Sequence, residues 1–253
     1  MGARLDLPRL AATLRATYGP PAPPPPQNAF EWILWDNVAY LADDATRALA
    51  FVELRERVGL TPTELLRASL ADLEMITAHG ILAPRFAAKL QLAAERALTD
   101  HGGDVDAAVR AAFASSPARA IELLVAFPSV GRPGAERILL FMGLLPVLAL
   151  DSHGLRVLHR VGAAAEQRTY EATYRAVRAA VDATGPQPAA LLRELHLLLQ
   201  THGRRTCRRT TPDCASCALL AECAYAAAAV ALPAGVPLAP PSLLPNATRL
   251  PRA

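Results

Sequence analysis

Lysine is almost missing from this chain. Of its 26 basic residues only Lys89 is a lysine, and every other cation is an arginine. A side-chain amine is the usual nucleophile for Schiff-base chemistry, so that chemistry has a single side-chain candidate. Aromatic residues are also scarce, and the apolar content comes mainly from Ala and Leu. That composition favours helix over sheet. No stretch alternates apolar and polar residues with period 2, so almost no sheet is expected. Long apolar runs are lacking too. The longest, Ile138 to Leu150, contains Gly143 and Pro146 and is too short to span a bilayer. The opening Met-Gly-Ala-Arg-Leu-Asp has no apolar segment of a signal peptide. A cytoplasmic, reducing setting with no membrane partner is therefore expected. Net charge is +3, which permits nucleic-acid binding without proving it.

Cysteine is absent everywhere except Cys207, Cys214, Cys217 and Cys223. The pattern is C-x6-C-x2-C-x5-C. Four soft thiolates this close in sequence can wrap one metal centre without help from a distant segment. The spacers are longer than those of a typical zinc knuckle, and a bulkier [4Fe-4S] cluster suits the reach. Zinc is the alternative. Two disulfides would need an oxidising compartment. Arg204, Arg205, Arg208 and Arg209 flank the first thiol and form a patch suited to phosphate.

Taken in order, residues 4 to 18 read as a short amphipathic helix with Leu5, Leu7, Leu10, Leu14 and Tyr18 as its apolar positions. Gly19 to Pro26 holds six prolines and acts as a stiff connector. Phe30 to Leu41 is strongly apolar and reads as a buried helix. Helices follow over Asp43 to Val58, from a Thr61-Pro62-Thr63-Glu64 capping box, over Ser69 to Thr77, Pro84 to Thr99 and Val105 to Ala114. Ser116-Pro117 opens another that runs to Ala126. Phe127-Pro128-Ser129-Val130-Gly131-Arg132-Pro133-Gly134-Ala135 then leads into a helix through Phe141. Two helices joined by a tight Pro-x-Val-Gly turn are a helix–hairpin–helix. Gly131 offers backbone freedom and close approach, and N–H groups at the second helix start can bind a phosphate oxygen. Asp151 opens a further helix as an N-cap. Tyr170 to Thr184 and Ala189 to Gln200 complete the helices, and Ala226 to Ala253, lacking periodicity, reads as a disordered tail.

These motifs together resemble the endonuclease III family of helix–hairpin–helix DNA glycosylases. His202-Gly-Arg-Arg-Thr-Cys207 looks like that family's approach to its cluster loop, and Leu150-Asp151-Ser152-His153-Gly154-Leu155-Arg156-Val157 like its V-D-[ST]-H-x-x-R-V segment. Asp151 follows Gly131 by 20 residues, as the family's catalytic aspartate follows the same glycine. The resemblance runs from about Phe30 to Tyr225. It implies an all-α fold. Residues 1–27 would be a helix and linker packing with the cluster domain, 28–146 a six-helix barrel carrying the hairpin, 147–225 the iron–sulfur domain and 226–253 the tail. It further implies a monomer acting on double-stranded DNA at the nucleoid, with the damaged base flipped toward Asp151.

The same resemblance assigns residues. Pro128, Ser129, Val130, Gly131, Arg132 and Gly134 would meet the DNA backbone, with Arg204, Arg205 and Arg208 beside the cluster. Leu41 falls where endonuclease III fills the gap in the duplex, and Ile81 matches a wedge into the opposite strand. Asp36 falls where the adenine-DNA glycosylase branch has a catalytic Glu. It is equally readable as a solvent-facing residue, and an acid in an apolar helix needs a task or a partner. Four departures stand out: Ser129 replaces the hairpin's first glycine, so the turn must differ or be strained, Pro133 replaces its catalytic lysine, Gly134 its threonine, and Gly154 departs from the segment after Asp151. Lys89 lies on a helix that the family places away from the active site. The chain is therefore expected to hydrolyse the N-glycosidic bond, with Asp151 stabilising the sugar cation and orienting water. Two alternatives share the fold: a DNA-binding protein that has lost catalysis, and a bifunctional lyase that uses another amine. Oxidised pyrimidine, mismatched adenine or thymine, uracil and alkylated purine all fit these residues as substrates.

Overall fold

A computed structural model describes residues 5–230, and all regular structure among them is helical. The tail lies outside the described residues from 231 onward, and Ala226 to Val230 fall in a last helix. The chain divides into two compact units. One joins Met1–Ala22 to Pro146–Ala253, and the other is Pro23–Leu145.

The first unit contains α1 (Leu7–Tyr18); the helices of its second segment, here α10 (Ser152–Arg160), α11 (Tyr170–Asp182), α12 (Ala189–Arg205) and α13 (Ala224–Val230), are numbered in chain order. Asp6 caps α1 through the Arg9 N–H, and Leu7, Leu10 and Leu14 turn inward against α12. A helix this short is marginal alone. Burial of each leucine contributes about 2 kcal/mol and holds it in place. Helix α12 also packs on α10, and α10 on α11. The sequence reading ended α12 at Gln200, but it continues to Arg205. Gly203, which reads as a breaker, is there for close approach: a Cβ on it would come 2.7 Å from the His153 Cβ.

The second unit contains α2 (Ala29–Val38), α3 (Asp44–Arg57), α4 (Pro62–Arg67), α5 (Leu70–Thr77), α6 (Ala83–His101), α7 (Val105–Ser115), α8 (Pro117–Val125) and α9 (Arg132–Phe141). Helix α2 runs through its core. Phe30, Trp32, Ile33, Leu34, Trp35 and Val38 are all buried, which explains why its apolar residues lie on every side. It is packed by α3, α5, α6, α7 and α9. The Trp32 ring lies 4.7 Å from Phe141, and Trp35 meets Phe51 edge-on at 5.6 Å. The expected capping box at Thr61 and Glu64 is present, and Ser69 and Ser116 cap α5 and α8. Helix α2 ends at Val38, short of the expected Leu41. Gly80 presses on the Tyr40 backbone so closely that a Cβ would lie 2.4 Å from its nitrogen, and the Tyr40 carbonyl accepts the Ile81 N–H at 3.0 Å. Leu41 then takes a left-handed φ of 61°.

Candidate functional site

In the first unit, Asp151 stands directly before α10 as its N-cap. Its Oδ1 accepts the backbone N–H groups of His153 at 2.9 Å and Gly154 at 2.7 Å, and its Oδ2 accepts Gln200 Nε2 at 3.0 Å. Burial pushes this carboxyl up. The charges of His196 and His153 and the bonds from Gly154 and Gln200 outweigh burial, so it sits below its ordinary value. His196 Nδ1 is fixed by donating to the Ala149 carbonyl at 2.9 Å. Burial, followed by the charge of Asp151, pushes the Tyr170 phenol up to about 12. The result is a carboxylate held ionised and fixed in orientation by three N–H donors. Gly154 takes part through its backbone, and a Cβ on it would lie at an ordinary 3.5 Å from Asp151 Oδ1. Gln200 and His196 were not found by the sequence reading. Their only signal was polarity on the buried face of α12.

The cysteine loop follows α12. All four thiols are free and half-buried. Two buried arginines one helical turn apart hold the loop, and the sequence reading had assigned neither a task. Arg156 donates to the carbonyls of Cys207 (2.9 Å) and Gly203 (2.7 Å). Arg160 donates to Cys207 Sγ at 3.4 Å and to the carbonyls of Arg208 (2.7 Å) and Arg209 (2.9 Å), and it lies over the Tyr225 ring. His202 is buried, and burial followed by the Arg156 charge pushes its imidazole down to about 4. Its Nε2 lies 3.7 Å from Cys217 Sγ, and Tyr18 Oη bonds its Nδ1 at 2.8 Å. Burial pushes the Cys214 and Cys217 thiols up, and the other thiols of the loop add to this. Four thiolates here would therefore need a cationic centre between them, while Arg160 donates to sulfur and His202 Nε2 faces it. Among the described residues no three His, Cys, Asp or Glu side chains converge as a single metal ion requires. Of the flanking arginines, Arg205 and Arg208 are exposed, whereas Arg204 and Arg209 are partly buried.

In the second unit the hairpin turn lies between α8 and α9. Asn37 on α2 ties it down, donating from Nδ2 to the Pro128 carbonyl at 3.0 Å. Val130 is buried, and its N–H donates to the Phe127 carbonyl at 3.3 Å. The freedom that the sequence assigned to Gly131 is used elsewhere. Gly131 has φ −90°, and it is Ser129 that takes the left-handed φ of 65°. A Cβ on Gly131 would meet only Pro133 Cδ, at 3.8 Å. Nothing inside the fold requires glycine there. No side chain caps the start of α9, and Arg132 is exposed beside Glu136. Lys89 is at the hairpin: its Nζ donates to Ser129 Oγ at 2.8 Å.

Asp36 does have a partner. Arg137 on α9 donates to both of its oxygens at 2.7 Å and lies over the Trp32 ring. The pair is largely buried, with side chains 14% and 12% exposed. Gly134 lies against Asp36, where an added Cβ would be 3.4 Å from Oδ2. Arg137 was missed because it lies 101 residues away in sequence. Leu41 and Ile81 are each about half exposed, at 46% and 48%. The bond from the Ile81 N–H to the Tyr40 carbonyl joins their two segments.

No family model matches the chain. Endonuclease III of Rickettsia conorii is 31% identical to it over 102 residues, which is 40% of this chain and 45% of the relative. The chain thus matches slightly less than half the length of that relative. Among solved structures, a trapped endonuclease III–DNA covalent intermediate aligns with a TM-score of 0.68 at 21% identity, over 89% of this chain and 99% of the other. A non-covalent endonuclease III–DNA complex aligns equally well at 20% identity, over 90% and 100%. A thermostable thymine-DNA glycosylase aligns with a TM-score of 0.67 at 13% identity, over 88% and 95%. The chain has the all-α fold of these helix–hairpin–helix glycosylases.

Proposed function

We propose that this chain is a monofunctional DNA glycosylase that hydrolyses the N-glycosidic bond of a damaged or mismatched base in double-stranded DNA. The observation that carries this reading is Asp151, ionised and fixed by His153, Gly154 and Gln200. A fixed negative charge stabilises the positive charge that develops on the sugar as the base departs, and it can orient or deprotonate the attacking water. The likeness to endonuclease III–DNA complexes supports DNA as the partner. The related enzyme has been trapped as a covalent intermediate, but here Pro133 stands where the resemblance places the attacking amine. Water is therefore the nucleophile, and the product is an abasic site in an uncut strand. The hairpin from Pro128 to Gly134 binds the DNA backbone through N–H groups at the uncapped start of α9. Leu41 and Ile81 enter the duplex as apolar wedges.

Cys207, Cys214, Cys217 and Cys223 hold a [4Fe-4S] cluster in this reading, with Arg160 and His202 donating to its sulfurs. The cluster supplies rigidity, and the loop presents Arg205 and Arg208 to phosphate. Asp36 positions Arg137 and the start of α9. It acts from within an ion pair and donates no proton. The protein works as a monomer at the nucleoid. The test is a panel of duplexes, each with one lesion or mismatch, assayed with and without alkali. Strand cleavage that needs alkali supports the reading. Intact strands across the whole panel after alkali, with binding retained, would favour a catalytically silent DNA-binding protein.

A further inference from the structure

The one lysine of the chain is used at one place. Lys89 lies on α6, and its ammonium reaches the tip of the hairpin to donate to Ser129 Oγ at 2.8 Å. It is positioned from below by the Phe86 ring, 4.5 Å away, a cation–π contact that fixes the charge without consuming a donor. An ammonium has three N–H donors, and the Ser129 hydroxyl occupies one of them. Ser129 is exposed and Lys89 half-buried, so the remaining donors lie at the surface of the turn. Nearby Arg85 is exposed and close enough for its charge to act on Lys89. Among the described residues no carboxylate pairs with Lys89. Ser129 itself is held at a left-handed φ of 65°, a conformation that costs a non-glycine residue of order 1 kcal/mol. A strained serine at this tip needs a reason, and gripping the lysine supplies one.

We propose that Lys89 is a DNA-phosphate ligand of the hairpin, its ammonium aimed by Ser129 and Phe86 at the backbone oxygen that the turn receives. This rests on the reading of the hairpin as a DNA-binding element. The cation reaches the turn from α6, whereas position 133 of the turn itself holds a proline. A plain buttressing role for the Lys89–Ser129 bond is the competing explanation, and salt dependence separates the two. Each phosphate neutralised by a cation contributes about 0.9 to the slope of log affinity against log salt. A buttress contributes nothing to that slope.

The experiment measures binding of a lesion-free fluorescent duplex over a range of KCl concentrations. Lys89→Gln is expected to weaken binding at low salt by roughly tenfold and to lower the slope by about 0.9. Lys89→Arg is expected to keep the slope. Ser129→Gly is expected to keep it too, since the ammonium stays. As the only side-chain amine in the chain, Lys89 can also be followed in unaltered protein: saturating DNA is expected to protect it from acetylation, read by mass on the peptide that contains it. An unchanged slope in Lys89→Gln, or a Lys89 acetylated as fast with DNA as without, would overturn the proposal. If Gly131→Leu loses affinity in that case, the hairpin still binds DNA and only the role of Lys89 falls. If Gly131→Leu binds like the unaltered protein, the hairpin reading falls and the proposal with it.

Discussion

The Asp151 site and the hairpin turn treat hydrogen-bonding groups in opposite ways. Around Asp151 the partners close inward: three N–H donors converge on one carboxylate, and the backbone there is unstrained. At the hairpin the start of α9 is left without a side-chain cap. A Cβ on Gly131 would meet only Pro133 Cδ, at 3.8 Å, and Ser129 carries the strain. Satisfied groups fix one charge in one orientation, which chemistry at a single atom requires. Unsatisfied groups at a surface await a ligand, which grip on a repeating backbone requires. The two other non-glycine residues with positive φ, Leu41 and Leu82, are also in the second unit, and both are half-exposed. Strain in the described residues thus gathers where contact with DNA is proposed, and is absent where a charge is stored.

This contrast can be broken first at Asp151. Asp151→Asn keeps shape and capping ability but removes the charge. Single-turnover base release is expected to fall by roughly a thousandfold or more while duplex affinity holds. The same residue sets a pH dependence. Its folded pKa is depressed, so its contribution to stability is complete above the ordinary carboxylate value and is lost as pH falls through the lower folded value. Acid unfolding of Asp151→Asn should therefore lack that component. Equal acid profiles for the two proteins would show that the carboxylate is not held as described.

A smaller but still large effect is expected at the cysteine loop. Purified protein should contain about four iron atoms per chain, with visible charge-transfer absorption. Cys214→Ser should lose both the absorption and the thermal stability of the first unit, and should weaken DNA binding. Stoichiometric zinc without iron after anaerobic purification would contradict the cluster. Smaller again is the effect at Asp36. Asp36→Asn leaves Arg137 buried without its charge partner and is expected to cost about 3 kcal/mol in denaturant unfolding. It should leave the pH profile of base release unshifted. A lost limb in that profile would make Asp36 an acid in the reaction after all.

Legibility followed the distance over which each feature is built. The caps at Thr61, Ser116 and Asp151 were readable because a cap is written within four residues. The helix order was readable for the same reason, and the cysteine spacing needed no tertiary information. Arg156 and Arg160 were not assigned, because their task depends on which carbonyls fall opposite them from a loop some 50 residues later. The Asp36–Arg137 pair and the Lys89–Ser129 bond were hidden similarly, each joining segments that meet only once the second unit packs. Ser129 in place of the hairpin's first glycine implied a different or strained turn, and Ser129 is the residue that takes the left-handed φ of 65°. The backbone freedom that Gly131 offers is not used at its φ of −90°.

The most direct test of hydrolysis without a Schiff base is borohydride trapping during base release. A substrate identified in the lesion panel is incubated with the protein and sodium borohydride, and the products are resolved under denaturing conditions. The hydrolytic reading predicts alkali-labile abasic sites, uncut strands before alkali, and no protein–DNA adduct. A borohydride-dependent adduct that maps to Lys89, or strand cleavage that keeps pace with base release without alkali, would contradict it.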